Sequence, residues 1–598
     1  MEQGMIVLDK ACRREFMREY RWYHGFLSSS YNLGRAFYFV KNNGEDIPMK
    51  LIERYLERTE FTSYEDFLEN YRLVIPESFD FARDVVDEWA RMEPEKLALI
   101  YCNDENEERY FTFTEISLLS KKAASYFLSI GIKAGDRVIT MLRRRWEYWV
   151  AAVALHRIGA VVVPVSIQME TKDIIYRANS CSAKAIIAVN DEFVISQMEA
   201  ARHDCHTVKN IIIAGEKREG YPYFDEEMEK SAPYEGFSDL KNEDDMIIYF
   251  TSGTTGYPKQ AIHNRLYPIG HIITAKYLQQ VEDNGLHITQ ADSGWAKFGW
   301  GNIYGQWLCG TAMLAYDPEK FRAKNFVNAI KKYKPVTVCV PPTIYRMMLR
   351  DGFTKEDMAS VKVFVSAGES LTREVNQAFY DIVGKYIREG YGQSEGTPIF
   401  GNWKYIDLKL SSMGKISPLY DLKIIDKSGK ECNTGETGEI VLIPKYEHIG
   451  LLKTYFYEGK EHNVLRNGIY HTGDEAYLDE DGYGWYLGRN DDIIKSSGYR
   501  IGPYEIESVL NTHPAVKESA IIGLPDEIRG QVVCAVVVLN NECGDRQAMI
   551  EELKEYVKTN TAPYKYPRVV KFTEELPKTT SGKLMRGKVR EDVLSARL

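Results

Sequence analysis

The sequence predicts an α/β protein, with a large N-terminal domain of two parallel α/β subdomains plus a small β-rich subdomain, followed by a small α+β C-terminal domain. Three observations carry this. At 598 residues the chain exceeds what one hydrophobic core organises. From Asp80 to Val365 short apolar runs alternate with helical patterns, as in parallel sheets covered by helices. After about Ser411 the pattern changes to short strands set between Gly and Asp turns, such as 426–429 and 479–483.

The elements follow in order. Residues 1–78 are rich in Tyr, Phe and charged groups, and Met49, Ile52, Tyr55 and Leu56 recur at a spacing that predicts a helix over 48–58. This stretch reads as a helical extension for packing or oligomer contact, so homo-oligomerisation stays open. Residues 81–92 read as helix, 137–142 as strand, 148–158 as helix and 160–165 as a buried strand. Strands are expected at 185–189, 210–214, 336–340 and 361–365. Beyond Gly488 the sequence predicts a helix (503–512), a strand pair (518–523 and 532–539) and a helix (545–558). The expected divisions are 1–78, 79–488 and 489–598.

Composition excludes several classes. With 44% hydrophobic and 27% charged residues the chain is globular, and a formal net charge of −10 argues against nucleic-acid binding, which relies on a positive field. The nine cysteines contain no C-x-x-C pair, which points away from a disulfide framework or structural zinc. The longest apolar stretch, 149–165, is broken by His156 and Arg157, so no integral membrane segment is expected. The first residues show no basic region followed by an apolar one, and a cytoplasmic protein is expected.

The most informative run is Thr251, Ser252, Gly253, Thr254, Thr255, Gly256, Tyr257, Pro258, Lys259, directly after the apolar residues 246–250. Hydroxyls and backbone N–H groups packed this closely cradle phosphate oxygens, and the lysine adds positive charge. The spacing is not that of a Walker loop. The plain alternative is a Gly/Thr surface turn. Further along come Ala367-Gly368-Glu369 after a strand, then Tyr391-Gly392-Gln393-Ser394-Glu395-Gly396, which puts an aromatic face, an amide and a carboxylate within six positions. Asp474 closes His471-Thr472-Gly473-Asp474, where a carboxylate suits ribose hydroxyls. Arg489 precedes Asn490-Asp491-Asp492, and Lys583 ends Pro577-Lys578-Thr579-Thr580-Ser581-Gly582-Lys583. Each run alone occurs by chance. All of them in this order form a joint signal.

That joint pattern resembles the adenylate-forming enzymes, the superfamily of acyl-CoA synthetases, luciferases and adenylation domains of peptide synthetases. Within it the chain is most similar to acyl-CoA synthetases of the medium-chain type, from about Phe79 to Lys588. The shared text includes Y-F-T-S-G-T-T-G-Y-P-K, S-A-G-E-S-L, Y-G-Q-S-E, Y-H-T-G-D, G-R-N-D-D-I-I-K-S-S-G-Y-R-I-G-P-Y-E-I-E, P-Y-K-Y-P-R and L-P-K-T-T-S-G-K. The resemblance implies that residues 251–259 hold ATP phosphates. It assigns Ala367, Gly368, Glu369, Tyr391, Gly392, Gln393 and Ser394 to the adenine pocket. It makes Glu395 a Mg²⁺ ligand, Asp474 the ribose ligand and Arg489 a further nucleotide contact. Asp491 would be the hinge of a mobile C-terminal domain, and Lys583 the catalytic lysine of adenylation. Ser394 stands where the family usually has Thr. For coenzyme A it implies Ser497, Gly498, Tyr499, Arg529, Lys558, Tyr566 and Arg568, with Arg500 facing the substrate. The run 143–145 either meets the coenzyme's phosphates or is a solvated face.

The implied partners are a small carboxylic acid and coenzyme A, and the implied activity is that of an AMP-forming ligase. Lys297, Trp300, Tyr304, Gly392 and Gly396 are the candidate acyl pocket. Gly392 leaves room where acetyl-specific relatives carry Trp. Trp300 and Tyr304 would share a face if their segment is one helix, or else they are ordinary aromatic core. Gly396 stands where relatives often have Thr. The competing implication is an aryl- or aminoacyl-adenylating enzyme that loads a carrier protein.

Overall fold

Strands in which every residue is apolar need cover on both faces, and Val161–Pro164 and Ala185–Val189 are buried along their whole length. They belong to a computed structural model that describes residues 6–9, 38–42, 45–251, 258–369, 371–496, 499–540, 545–578 and 584–597. Their sheet has eight strands, in the order Lys460–His462, Thr454–Tyr457, Lys259–Asn264, Asp245–Thr251, Val161–Pro164, Arg137–Met141, Ala185–Val189, Asn210–Ala214. From Asp245–Thr251 onward the pairs are parallel, whereas the first strands are antiparallel.

A second sheet of nine strands runs Lys415–Ile416, Phe400–Gly401, Ile387–Tyr391, Val363–Ala367, Thr337–Cys339, Leu286–Thr289, Ala312–Tyr316, Leu97–Cys102, Glu108–Thr112. Its central pairs are parallel and its edges antiparallel. The β-rich part is a four-stranded antiparallel sheet of Tyr420–Ile425, Gly438–Pro444, Tyr470–Leu478 and Gly484–Arg489. The α/β expectation holds, with mixed sheets in place of purely parallel ones, because strand 259–264 and short strands from 400–462 add antiparallel pairs along one side of each sheet and strand 108–112 adds one at the far edge of the second.

The two large sheets meet backbone to backbone just beyond their strands. A Cβ on Gly294 would lie 2.1 Å from the Ser166 nitrogen, so only glycine fits there. Asp292 fixes the junction, accepting from Gly294 N at 2.8 Å and from Ser166 Oγ at 3.3 Å.

From Ile494 the chain builds a separate core. Strands Tyr499–Ile501, Ile494–Ser496, Gly530–Leu539 and Val516–Asp526 are joined by Val569–Phe572. Alternation decides the two faces. Ile521, Val533, Ala535 and Val537 pack under helices Pro503–Leu510 and Arg546–Asn560. Ile522, Cys534, Val536 and Val538 pack against Arg586–Leu594.

The extension differs most from expectation. Its described residues hold strands Ile6–Asp9, Tyr38–Asn42 and Glu45–Pro48, one tight turn at Leu51–Arg54 and a helix at Tyr64–Asn70. The helix expected over 48–58 stops because its backbone is used elsewhere: Tyr55 O accepts from Val74 N, and Glu57 N donates to Arg72 O. The apolar spacing there reflects burial of Leu51, Ile52, Tyr55 and Leu56 against the main core.

Two predictions follow from packing. Gly294→Ala forces the sheets apart and is expected to cost about 2–4 kcal/mol, read as a lowered unfolding midpoint in thermal or urea titration; an unchanged midpoint would contradict the contact. Glu389, in the strand leading to Tyr391, accepts from Leu371 N at 3.3 Å, and burial pushes its carboxyl up to about 8. A raised folded value means the native state holds a proton that the unfolded state releases. Stability from this group is therefore full below pH 4.5 and lost as pH rises through about 8. Glu389→Gln should flatten that decline in the pH dependence of the unfolding midpoint, and an equally steep decline in the variant would count against it.

Candidate active site

Three of the predicted site residues lie at the carboxyl ends of parallel strands. Ala367 and Tyr391 close neighbouring parallel strands, with Ala367 paired to Gly390. Thr251 closes its strand in the other sheet, and Thr251 pairs with Lys259 across the antiparallel strand that follows. Residues 252–257 thus connect two hydrogen-bonded strands, although they lie outside the described residues, as do Ser497, Gly498, Lys583 and the side chain of Arg500. Carboxyl ends of parallel strands are where open α/β sheets bind ligands.

Asp474 is the centre of the arrangement. It is buried, and its Oδ2 accepts from Tyr391 Oη at 2.6 Å and from Gln393 Nε2 at 2.5 Å. Tyr486 Oη donates to Oδ1 at 3.2 Å, and Arg489 Nε lies 3.7 Å from the same oxygen. Burial raises this carboxyl above its ordinary range, while Arg489 and the hydrogen bonds pull it back. Gln393 is oriented in turn, donating to Thr472 O at 2.9 Å and accepting from Tyr470 Oη at 2.7 Å.

Glu395 lies one strand pair away. Burial raises its carboxyl too, opposed by hydrogen bonds from Tyr455 and Thr251. Tyr455 Oη donates to Oε1 at 3.0 Å. The ammonium of Lys259 stands 4.5 Å from the ring centre of Tyr457. Ser394 takes part through its carbonyl, which accepts from His263 Nε2 at 2.9 Å; burial lowers His263 to about 4, so the ring is neutral. Glu369 accepts from Thr343 Oγ1 at 2.8 Å and Arg346 at 3.2 Å, at the edge of the same opening.

The acyl-pocket expectation divides. Lys297 Nζ donates to Ala367 O at 2.6 Å, which ties it to the end of the Val363–Ala367 strand. Gly392 leaves no empty room: a Cβ there would meet Trp300 Cη2 at 2.5 Å, so the indole fills the space the glycine opens. Tyr304 is aromatic core, fully buried, with its hydroxyl 2.9 Å from His156 Nε2 and its ring edge-on to Phe81 and Tyr267. The helix breaks between Asn302 and Tyr304, so Trp300 and Tyr304 share no face. The cause is that Trp149 Nε1 takes the Asn302 carbonyl at 2.7 Å and Thr289 O takes its side chain at 3.1 Å. Gly396 allows a close approach of Gly450 O, 2.4 Å from a Cβ built there.

The run 143–145 is neither a solvated face nor a set of free cations. Arg143 pairs with Asp317 at 3.1 Å, Arg144 Nε donates to Tyr316 O at 3.0 Å, and Arg145 pairs with Glu147 at 2.9 Å.

In the C-terminal unit, Lys558 and Arg568 flank the Tyr566 ring at 5.0 and 4.8 Å, and Arg568 donates to its hydroxyl at 2.7 Å. Tyr499 stacks on Tyr564, with ring centres 4.2 Å apart. Arg529 sits in the turn between strands Val516–Asp526 and Gly530–Leu539, where Gly530 pairs with Ser496. Sequence reasoning missed Tyr455, Tyr457, Tyr470, Tyr486 and Tyr564. Tyr470, which opens Y-H-T-G-D, and Tyr564, beside Tyr566 in P-Y-K-Y-P-R, had a local signal; the others had none.

The family model described as "AMP-binding enzyme" matches residues 86–456, and the one described as "AMP-binding enzyme C-terminal domain" matches 505–583. The human protein named "Acyl-coenzyme A synthetase ACSM3, mitochondrial" is 38% identical, over 89% of this chain and 92% of the relative. The rat protein named "Acyl-coenzyme A synthetase ACSM5, mitochondrial" is 36% identical, over 86% and 91%. The crystal structure of the anthranilate CoA ligase AuaEII with anthranoyl-AMP superposes with a TM-score of 0.79 at 26% identity, covering 88% of this chain and 99% of that one. The acyl-CoA synthetase of Brucella canis superposes with a TM-score of 0.68 at 26% identity, covering 90% and 100%. These relatives correct the expectation of a cytoplasmic protein, since the names of the curated ones place them in mitochondria. Among the described residues no helix is long and apolar enough to cross a membrane. By sequence, by fold and by the order of its site residues, the chain belongs to the family of AMP-binding enzymes, among the acyl-coenzyme A synthetases.

Proposed function

We propose that this acyl-coenzyme A synthetase activates a short- to medium-chain carboxylic acid as acyl-AMP at the site around Asp474 and passes the acyl group to coenzyme A. The observation that supports this reading is convergence. Thr251 and Glu395 from one side, and Tyr391, Gln393, Asp474 and Arg489 from the other, meet at the carboxyl ends of the two large sheets. In this reading residues 79–488 bind nucleotide and acid, and 489–598 form the unit that moves.

In the first step a carboxylate oxygen attacks the α-phosphorus of ATP, and pyrophosphate leaves with the electrons of the broken P–O bond. Two anions must meet, so the barrier is one of positioning and charge. Asp474 takes the ribose hydroxyls. The Tyr391 ring and the backbone of 367–369 hold the adenine. Lys259 and the 251–259 connection grip the departing phosphates, and Lys583 neutralises charge at the reacting oxygens. Glu395 suits a divalent cation: it is a half-buried carboxyl whose side-chain donors are Tyr455 and Thr251, and Mg²⁺ is commonly bound by one or two carboxylates with phosphates and water completing the shell. Bound there, the ion would neutralise phosphate charge. In the second step the coenzyme A thiol, losing its proton, attacks the acyl carbonyl and AMP leaves. Rotation about Asp491 exchanges Lys583 for the face with Tyr499, beside which Lys558, Tyr566 and Arg568 are grouped to receive the coenzyme.

Trp300 sets the acid's size, because its ring occupies the space beside Gly392. The test is a panel of acids of increasing chain length with ATP and Mg²⁺, following AMP and pyrophosphate with and without coenzyme A. Formation of ADP in place of AMP would overturn the reading. Trp300→Ala is expected to raise kcat/KM for longer acids relative to short ones by at least about tenfold; an unchanged ratio would remove Trp300 from the pocket. Lys583→Ala is expected to abolish pyrophosphate exchange, a loss of about 10²-fold or more, while thioester formation from supplied acyl-AMP persists. Equal loss of both half-reactions would contradict the exchange of faces.

A further inference from the structure

Two consecutive carboxylates at the proposed hinge are held by arginines on opposite sides of it. Arg489 lies at the end of the Gly484–Arg489 strand, and its Nε is 3.7 Å from both Asp474 Oδ1 and Asp491 Oδ1. The next residue, Asn490, donates its backbone N–H to Gly473 O at 2.9 Å. Up to Asp491, therefore, the chain is anchored to the nucleotide site. Asp492 is held from the other direction, with its Oδ2 3.6 Å from Arg586 Nη1. Arg586 opens the C-terminal helix Arg586–Leu594 and also makes a two-pronged ion pair with Glu507, its Nε donating to Oε1 at 3.0 Å. Glu507 in turn accepts from Ile521 N at 2.8 Å, which secures the pair to the Val516–Asp526 strand of the small unit.

The same arginine lies beside the segment that carries Lys583. Lys578 and Leu584 form a β-bridge, and Met585 N donates to Pro577 O at 2.9 Å. The chain therefore enters and leaves 579–583 at paired positions, and Arg586 follows two residues after the exit. One guanidinium thus connects the residue after the hinge, the Pro503–Leu510 helix and the base of the lysine segment. Across the hinge, Asp492 N and Ile493 N donate to Arg489 O at 3.0 Å each, and such bonds can break on rotation.

We propose that Arg586 is a positioning residue. Through Asp492 and Glu507 it makes the downstream side of the hinge rigid, so that rotation is confined to the Asp491–Asp492 link and Lys583 arrives in register with the α-phosphate. The inference rests on the proposed roles of Lys583 and Asp491. An unbraced link would spread the rotation over several residues and blur the placement of the lysine, and misplacement by about 1 Å can cost about 10²-fold in rate.

Asp492→Asn in the full-length enzyme is the cleanest test, because it leaves the Arg586–Glu507 pair and the fold of the small unit intact. Expected is a fall of roughly tenfold in kcat for pyrophosphate exchange, with KM for ATP within about twofold, since the nucleotide groups lie upstream of the hinge. Arg586→Gln should fall further. The double variant should be no worse than Arg586→Gln alone, and Arg586→Lys should recover part of the loss. A raised KM for ATP with kcat unchanged would overturn the inference, as would strictly additive losses. Lys583→Ala separates the two levels: if it leaves adenylation intact, the parent reading fails, whereas if it abolishes adenylation and Asp492→Asn has no effect on kcat, only the role of Arg586 fails.

Discussion

The site depends on one carboxylate taken out of water. Asp474 would be costly to bury alone, and four groups compensate it: Tyr391 at the end of a strand of the nine-stranded sheet and Gln393 just beyond it, and Tyr486 and Arg489 from one strand of the four-stranded sheet. These partners lie in different sheets, so satisfying Asp474 also fixes how the β-rich part sits on the α/β part. It also decides where Arg489 ends its strand, and hence where the proposed hinge begins. One polar cluster therefore serves both as the proposed ribose site and as the join between sheets.

Much of this was legible in the sequence, for identifiable reasons. Strands such as 185–189 and 210–214 appear as expected because continuous β-branched runs between turn residues have few alternatives. The small unit was legible through alternation, since Ile521 and Ile522 face opposite helices. Asp474 and Arg489 stood out in the sequence through the runs that carry them, and the structure brings the two side chains together. What could not be read were partnerships across long sequence distances. Nothing near Tyr455 announces Glu395, sixty positions earlier, and nothing near 143–145 announces Asp317. A run of three arginines looks like an anion site until the acids that neutralise it are placed.

The misread segments share a cause: the spacing was right but the backbone was already committed elsewhere. Residues 49–56 have helical apolar spacing, yet their carbonyls and amides bond to 72–74, so the same side chains are buried without a helix. Trp300 and Tyr304 stand four apart, yet Trp149 captures the Asn302 carbonyl and ends the helix between them. Side-chain periodicity reports which residues want burial. It does not report whether the intervening peptide groups are free to bond within their own segment.

Glycine carries a comparable ambiguity at the acyl end. A glycine beside a binding site reads as space, but it can equally be the imprint of a large neighbour. At position 392 the neighbour is Trp300, and the missing side chain is matched by an indole delivered from the other side of the pocket. Under the proposed role of Trp300, size selection would depend on a helix whose own end is held by Trp149 and Thr289. A residue so placed can be exchanged without disturbing the strand that carries Tyr391 and Gln393. In the proposed reading, acid preference is therefore mechanically separable from nucleotide grip: the first would rest on the 296–302 helix, the second on the carboxyl ends of the sheets.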